Sequence, residues 1–177
     1  MAAEETANGN LCIENASLAE LQQALAEGRT TASALTRAYL ARIEAYDRAG
    51  PNLNAVREIN PEALAIAASF DHIKPNPKQP LAGLPILVKD NIATGDKQHT
   101  TAGSFALAEA RAKRDAALVA RLRAAGAVIL GKANLTEFAN IIAIDMPAGY
   151  SSLGGQVKNP YAPGFDDKGV PVNQSRR

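Results

Sequence analysis

The sequence holds a single cysteine among 177 residues, Cys12. That excludes an internal disulfide framework and a thiolate-rich zinc site, argues against redox chemistry, and fits a reducing, cytoplasmic setting. A dominant charge is also missing. Lys plus Arg is 19 and Asp plus Glu is 18, for a net charge of +1, so there is no electrostatic reason to expect nucleic acid or an anionic membrane as a partner. No apolar run approaches the ~20 residues that span a bilayer. The longest, Ala124 to Gly131, is short and broken by Gly126. The acidic, small-residue start from Met1 to Asn10 has neither the positive beginning nor the apolar middle of a secretory signal. A soluble chain is expected, with residues 1–16 a flexible tail. Histidine is scarce too: His72 and His99 have no carboxylate or Cys at ligand spacing, so no metal and no cofactor is expected.

What is present reads as α/β. Apolar residues make up 46% and charged ones 21%, a mix able to bury a core. Ser17 and Glu20 have capping-box spacing ahead of Leu18, Leu21 and Leu25, predicting a helix over about 17–28. A second begins near Thr30 or Thr31, places Leu35, Tyr39, Ile43 and Tyr46 on one face, and stops at Gly50-Pro51. Asn60-Pro61 opens a third, reaching about Asp71. All three are expected before any strong strand. After a proline cluster (Pro75, Pro77, Pro80), Ile86-Leu87-Val88 and Ala127-Val128-Ile129-Leu130 lack polar alternation and read as strands covered on both faces. Between them Asp115 is the expected cap of a helix with Leu118, Val119, Leu122 and Ala125 as its stripe and Gly126 just past its end, making a right-handed crossover unit. One continuous helix over 104–125 is an open alternative. Another helix is expected from Asn134, with Glu137 in its first turn. Gly and Pro are frequent from Asp145 to Arg177, which predicts mostly loop.

The informative residue is Lys89, a cation directly after three apolar residues on an expected buried strand. Burial destabilises an ammonium, and the neutral amine can then serve as general base or nucleophile. The alternative is that Lys89 lies just past the strand, reaches water or pairs with Asp90, and has no chemistry. The long connection after Ile92 leaves the C-terminal end of that strand, where open α/β sheets keep their ligands. It carries Thr100-Thr101-Ala102-Gly103-Ser104, hydroxyls beside a glycine that suit either close approach to a ligand or an ordinary turn. Gly-Lys at 131–132 lacks P-loop spacing. Arg111, Lys113, Arg114, Arg121 and Arg123, interleaved with Glu109 and Asp115, read as a solvated face.

Several motifs in register carry a resemblance. Leu81-Ala-Gly-Leu-Pro-Ile-Leu-Val-Lys-Asp-Asn-Ile92, Thr100 to Ser104, Asp115 to Asn134 with Glu137, Gly149-Tyr-Ser-Ser-Leu-Gly-Gly155 and Asn159-Pro-Tyr161 resemble the amidase signature family. The likeness runs from about Ser17 to Tyr161 and is densest from Leu81. It implies an N-terminal portion, residues 17–177, of an amidase domain: helices, then strands of a mixed sheet in an α/β/α sandwich. It implies hydrolysis of carboxylic amides by a serine, cis-serine and lysine, with Lys89 matching the base and Gly-rich backbone amides stabilising the oxyanion. A small-molecule amide is the implied substrate of a complete enzyme.

The family's two serines lie downstream of Asn-Pro-Tyr, in a Gly-Gly-Ser-Ser-Gly-Gly segment and a later glycine-rich one. Here Asn159-Pro160-Tyr161 is followed by other sequence as far as Arg177. Ser151-Ser152 precedes the motif and is a weak substitute, with Ser152 the less remote stand-in nucleophile, and Ser175 is almost terminal. The expectation is therefore a chain carrying the base without the nucleophile, inactive alone and prone to self-association through exposed sheet edges. A non-catalytic binding module or complementing fragment, and a Schiff-base role for Lys89, are the alternatives.

Overall fold

The computed structural model describes residues 11–73, 76–141 and 144–162. Helix α1 spans Leu18–Ala26. Its cap is the expected box: Ser17 Oγ accepts from Glu20 N while the Glu20 carboxylate accepts from Ser17 N at 2.7 Å, satisfying two otherwise free donors. Helix α2, Ala32–Arg42, is capped by Thr31 and runs on as a π-helical segment over Ile43–Arg48. Leu11 is buried against Leu21, Ala24, Leu35 and Leu84, so packing begins before residue 17 rather than after a tail of sixteen.

The next element corrects the order expected. Strand β1, Val56–Ile59, precedes the short helix α3, Ala63–Ala68. Strand β2, Pro85–Lys89, helix α4, Ala117–Ala124, and strand β3, Val128–Ala133, follow. The sheet order is β1-β3-β2, with β3 antiparallel to β1 and parallel to β2. The strand–helix–strand crossover is thus present in a mixed sheet. Val128 and Leu130 on one face of β3 pack with Ala32, Ala63 and Ala67 of α2 and α3. Ile129 on the other face joins Val88 and Val119 of α4. The result is an α/β/α sandwich with β3 at its centre.

Several expectations give way. Continuous burial holds for Val128 to Lys132 of β3 but not for β2, whose Leu87 is 38% exposed; β2 is an edge strand among the described residues. Leu118 is 53% exposed rather than part of the α4 stripe. Ala116, not Asp115, is the N-cap of α4. The Asp115 carboxylate instead accepts from Gly95 N at 2.7 Å and Arg123 Nε at 3.1 Å. Gly126, at φ +91°, follows the helix end as expected, and a Cβ there would meet the Ala82 backbone at 2.7 Å. Residues 104–125 do not form one helix, since only a 3-10 turn at Phe105–Leu107 precedes α4. The segment after Asn134 is a 3-10 turn, Glu137–Asn140, with Phe138 and Ala139 at left-handed angles, not an α-helix. The expected loop after Asp145 holds a small hairpin, β4 (Tyr150–Ser151) and β5 (Gly155–Gln156). Ser175 and the segment 1–10 lie outside the described residues.

Candidate active site

Because β2 and β3 are parallel, their C-terminal ends share one edge, with Lys89 opposite Ala133. Lys89 is exposed there and Asp90, the next residue, is fully buried. The strand's alternation therefore turns the amine outward and the carboxylate inward. Among the described residues, Lys89 makes no ion pair or side-chain hydrogen bond.

A buried carboxylate needs compensating donors and charge, and the sequence supplies them from distant segments. The Asp90 carboxylate accepts from Thr101 N at 3.4 Å, from Gly103 N at 3.3 Å and from the Thr101 hydroxyl. Arg57 Nε of β1 lies 2.9 Å from Asp90 Oδ2. Ala102 and Gly103 have φ of +50° and +76°, a turn in which the Thr101 and Gly103 N–H groups both reach the one carboxylate, an arrangement suited to an anion. Arg57 also pairs with Glu58, and Glu58 in turn accepts from His99 N at 3.0 Å and contacts His99 Nδ1 at 2.9 Å. Arg111 Nε donates to His99 Nε2 at 3.2 Å. His99 therefore has the structural role, and no group of three or more His, Cys, Asp or Glu among the described residues could hold a metal ion.

The lysine that is buried is Lys132 of β3. Its Nζ donates to Ile92 O at 2.6 Å and Thr100 Oγ1 at 3.1 Å. Desolvation pulls its pKa below the ordinary lysine value, against the opposing pull of Asp90, Asp96 and Glu58. The Thr100 and Thr101 hydroxyls and the Thr101 and Gly103 amides thus face inward, to Lys132 and Asp90. Arg123, read as part of a solvated face, crosses to Asp96 at 2.5 Å and to Asp115.

The hairpin is fastened beneath this loop. Leu153 N donates to Gly103 O at 3.0 Å and Phe138 N to Ala102 O at 2.9 Å. A Cβ on Gly103 would stand 2.7 Å from Ser151 Cβ, so the close approach depends on glycine. Ser151 is buried, its hydroxyl donating to Asn134 Oδ1 and accepting from Gly154 N. Ser152 Oγ accepts from Phe105 N at 3.0 Å, and Ser152 N donates to Glu137 at 2.7 Å. Burial pushes the Glu137 carboxyl up, but the bonds from Ser152 and Ser104 together hold it below its ordinary value. Neither serine is brought to Lys89, and both hold the loop's underside.

Sequence reasoning singled out Lys89 and the Thr100–Ser104 loop and missed Arg57, Glu58 and Lys132. The signal for Lys132 was available: a lone cation inside the apolar run from Val128 to Ala133.

An α/β/α sandwich with a lysine and a small-residue loop at the C-terminal edge of parallel strands defines the class of fold and site. Comparison with known proteins makes it specific. The amidase family model matches residues 34–166, and the chain belongs to the amidase family. A probable amidase of Arabidopsis thaliana is 46% identical over 153 residues, which are 84% of this chain and 29% of that protein. The solved native peptide amidase of Stenotrophomonas maltophilia superposes with a TM-score of 0.80 at 45% identity, over 86% of this chain and 31% of that one. A glutamyl-tRNA(Gln) amidotransferase component from Solidesulfovibrio magneticus is 44% identical over 128 residues, 72% of this chain and 25% of that protein. The chain spans between a quarter and a third of the length of these relatives.

Proposed function

We propose that this chain contributes the general base, Lys89, and its supporting loop to an enzyme that hydrolyses carboxylic amides. The two serines of the mechanism come from polypeptide other than these 177 residues. In that reaction the remaining portion of the enzyme covers the exposed Lys89, a burial that favours the neutral amine, and Nζ then takes a proton from one serine hydroxyl, which takes the proton of a second. The second oxygen attacks the amide carbonyl, and backbone N–H groups stabilise the resulting oxyanion. The protons return to the leaving nitrogen, and water then releases the acid.

The observation that carries this reading is the outward turn of Lys89 beside an inward-pinned loop, in a member of the amidase family. The amine is accessible to an incoming hydroxyl at the strand edge where ligands of such sheets gather. Among the described residues no hydroxyl is positioned to receive its help. The test is ammonia release from a peptide amide. The 177-residue polypeptide alone releases none. Combined with a fragment supplying the remaining portion of the peptide amidase it releases ammonia, and Lys89→Ala lowers that rate about 10²–10⁴-fold. Loss of the reading follows if the isolated chain is active, or if Lys89→Ala is silent in the combined enzyme.

The exposed Leu87 on edge strand β2, with Phe105 72% exposed, favours association as a complementing fragment. In the absence of a partner polypeptide those apolar groups support self-association, read as a sedimentation coefficient that rises with concentration.

A further inference from the structure

The loop that leaves β2 is long, yet both of its ends are fastened by buried charges that the proposed reaction does not use. Asp90 holds Thr101 and Gly103. Lys132 holds Ile92 O at 2.6 Å and Thr100 Oγ1 at 3.1 Å. Both side chains are fully buried, one extending the edge strand and one from the central strand. Their bonds join residue 92 to residue 100 and residue 90 to residue 103, so the chain from 91 to 100 is closed as a cross-pinned ring. Lys89 is attached directly to one pin.

A bulky apolar residue at position 132 or 90 would serve the core more simply, because burying charged groups gains little over well-packed hydrophobes. What the charges supply is fixed direction: both Asp90 carboxylate oxygens accept from named donors, and Lys132 Nζ donates to two named acceptors. We infer that Asp90 and Lys132 are positioning residues that clamp the base of the 91–104 loop, fixing the backbone at Lys89 and hence where its amine stands. This rests on the reading of Lys89 as the base for its catalytic meaning, while the clamp itself is a property of the chain as it is.

The clamp predicts slow amide exchange at Thr101 and Gly103, because both N–H groups are held by the Asp90 carboxylate and open only with the loop. The experiment is residue-resolved hydrogen exchange by NMR on the 177-residue chain, comparing wild type with Thr101→Val and Asp90→Asn. Thr101→Val is the milder change and keeps the fold testable should Asp90→Asn unfold the chain. Expected is at least about tenfold faster exchange at Gly103 and Thr101 in Thr101→Val, with the β3 amides of Val128 to Leu130 unchanged. In the combined enzyme Thr101→Val lowers kcat more than it raises KM, and Thr101→Ser restores it. Unchanged exchange at both loop amides in Thr101→Val overturns the clamp, even if Lys89→Ala abolishes hydrolysis. Faster exchange with a silent Lys89→Ala leaves the clamp standing and removes the base.

Discussion

At the scale of single residues the decisive contrast is between two lysines on neighbouring strands. Lys89 is exposed at the end of β2, and Lys132 is fully buried one strand away. Burial disfavours the ammonium, so the folded pKa of Lys132 lies below the unfolded one. Between the two values the unfolded chain holds a proton the folded chain has released, and stability rises with pH there. The contribution is complete above the ordinary lysine value and is lost as pH falls through the lowered one. The wild-type minus Lys132→Met difference in urea stability should therefore climb on the alkaline side and flatten toward neutrality; a difference independent of pH contradicts it. Arg57 is the counterion of Asp90 at 2.9 Å. Arg57→Met strands a buried charge and should cost about 3–5 kcal/mol, checked by urea unfolding. Lys89 was legible because it ends a plain apolar run. Lys132 was equally visible as a lone cation in an apolar run, but its role was not, because its partners Ile92 and Thr100 are 40 and 32 residues distant and nothing local reports such pairings.

At the scale of elements, β3 organises the molecule. Gly131 sits where β1 and β2 both cross, opposite Ile59 and Leu87. A Cβ there would collide with the Glu58 carbonyl oxygen, a ladder partner with little room to move. Gly131→Ala should lower stability by roughly 1–3 kcal/mol, seen as a shifted thermal midpoint, whereas a neutral effect would mean β1 yields easily. Elements whose signals are local were readable: the Ser17/Glu20 cap of α1, the Thr31 cap of α2 and the apolar core of β3. Strand β1 was not. Arg57 and Glu58 give Val56–Ile59 a polar look, and their charges are matched by Asp90 and His99 from later segments. The 3-10 turn at Glu137–Asn140 escaped for a related reason. Glu137 suited a helical first turn, but its carboxylate is taken by Ser152 in the hairpin, and Phe138 and Ala139 turn left-handed.

For the whole molecule, the α/β/α layers bring the loop after β2, the turn after β3 and the hairpin together at one edge of the sheet. Much of the polar network there is satisfied internally, from Glu137 and the serines below to Asp90 and Lys132 above, while the buried Thr94 hydroxyl and Gln98 side-chain amide have no hydrogen-bond partner among the described residues. Among the described residues, Lys89 at the end of β2 makes no ion pair or side-chain hydrogen bond. The edge strand beside it exposes Leu87, and the relatives are three to four times longer than the segment they share with this chain. The most direct measurement is the initial rate of ammonia release from a peptide amide by this chain mixed with the complementary portion of the peptide amidase, run beside Lys89→Ala. No rate from either part alone, a measurable rate from the mixture, and its loss in the variant are expected. An undiminished rate with alanine at position 89 would contradict the assignment of the base.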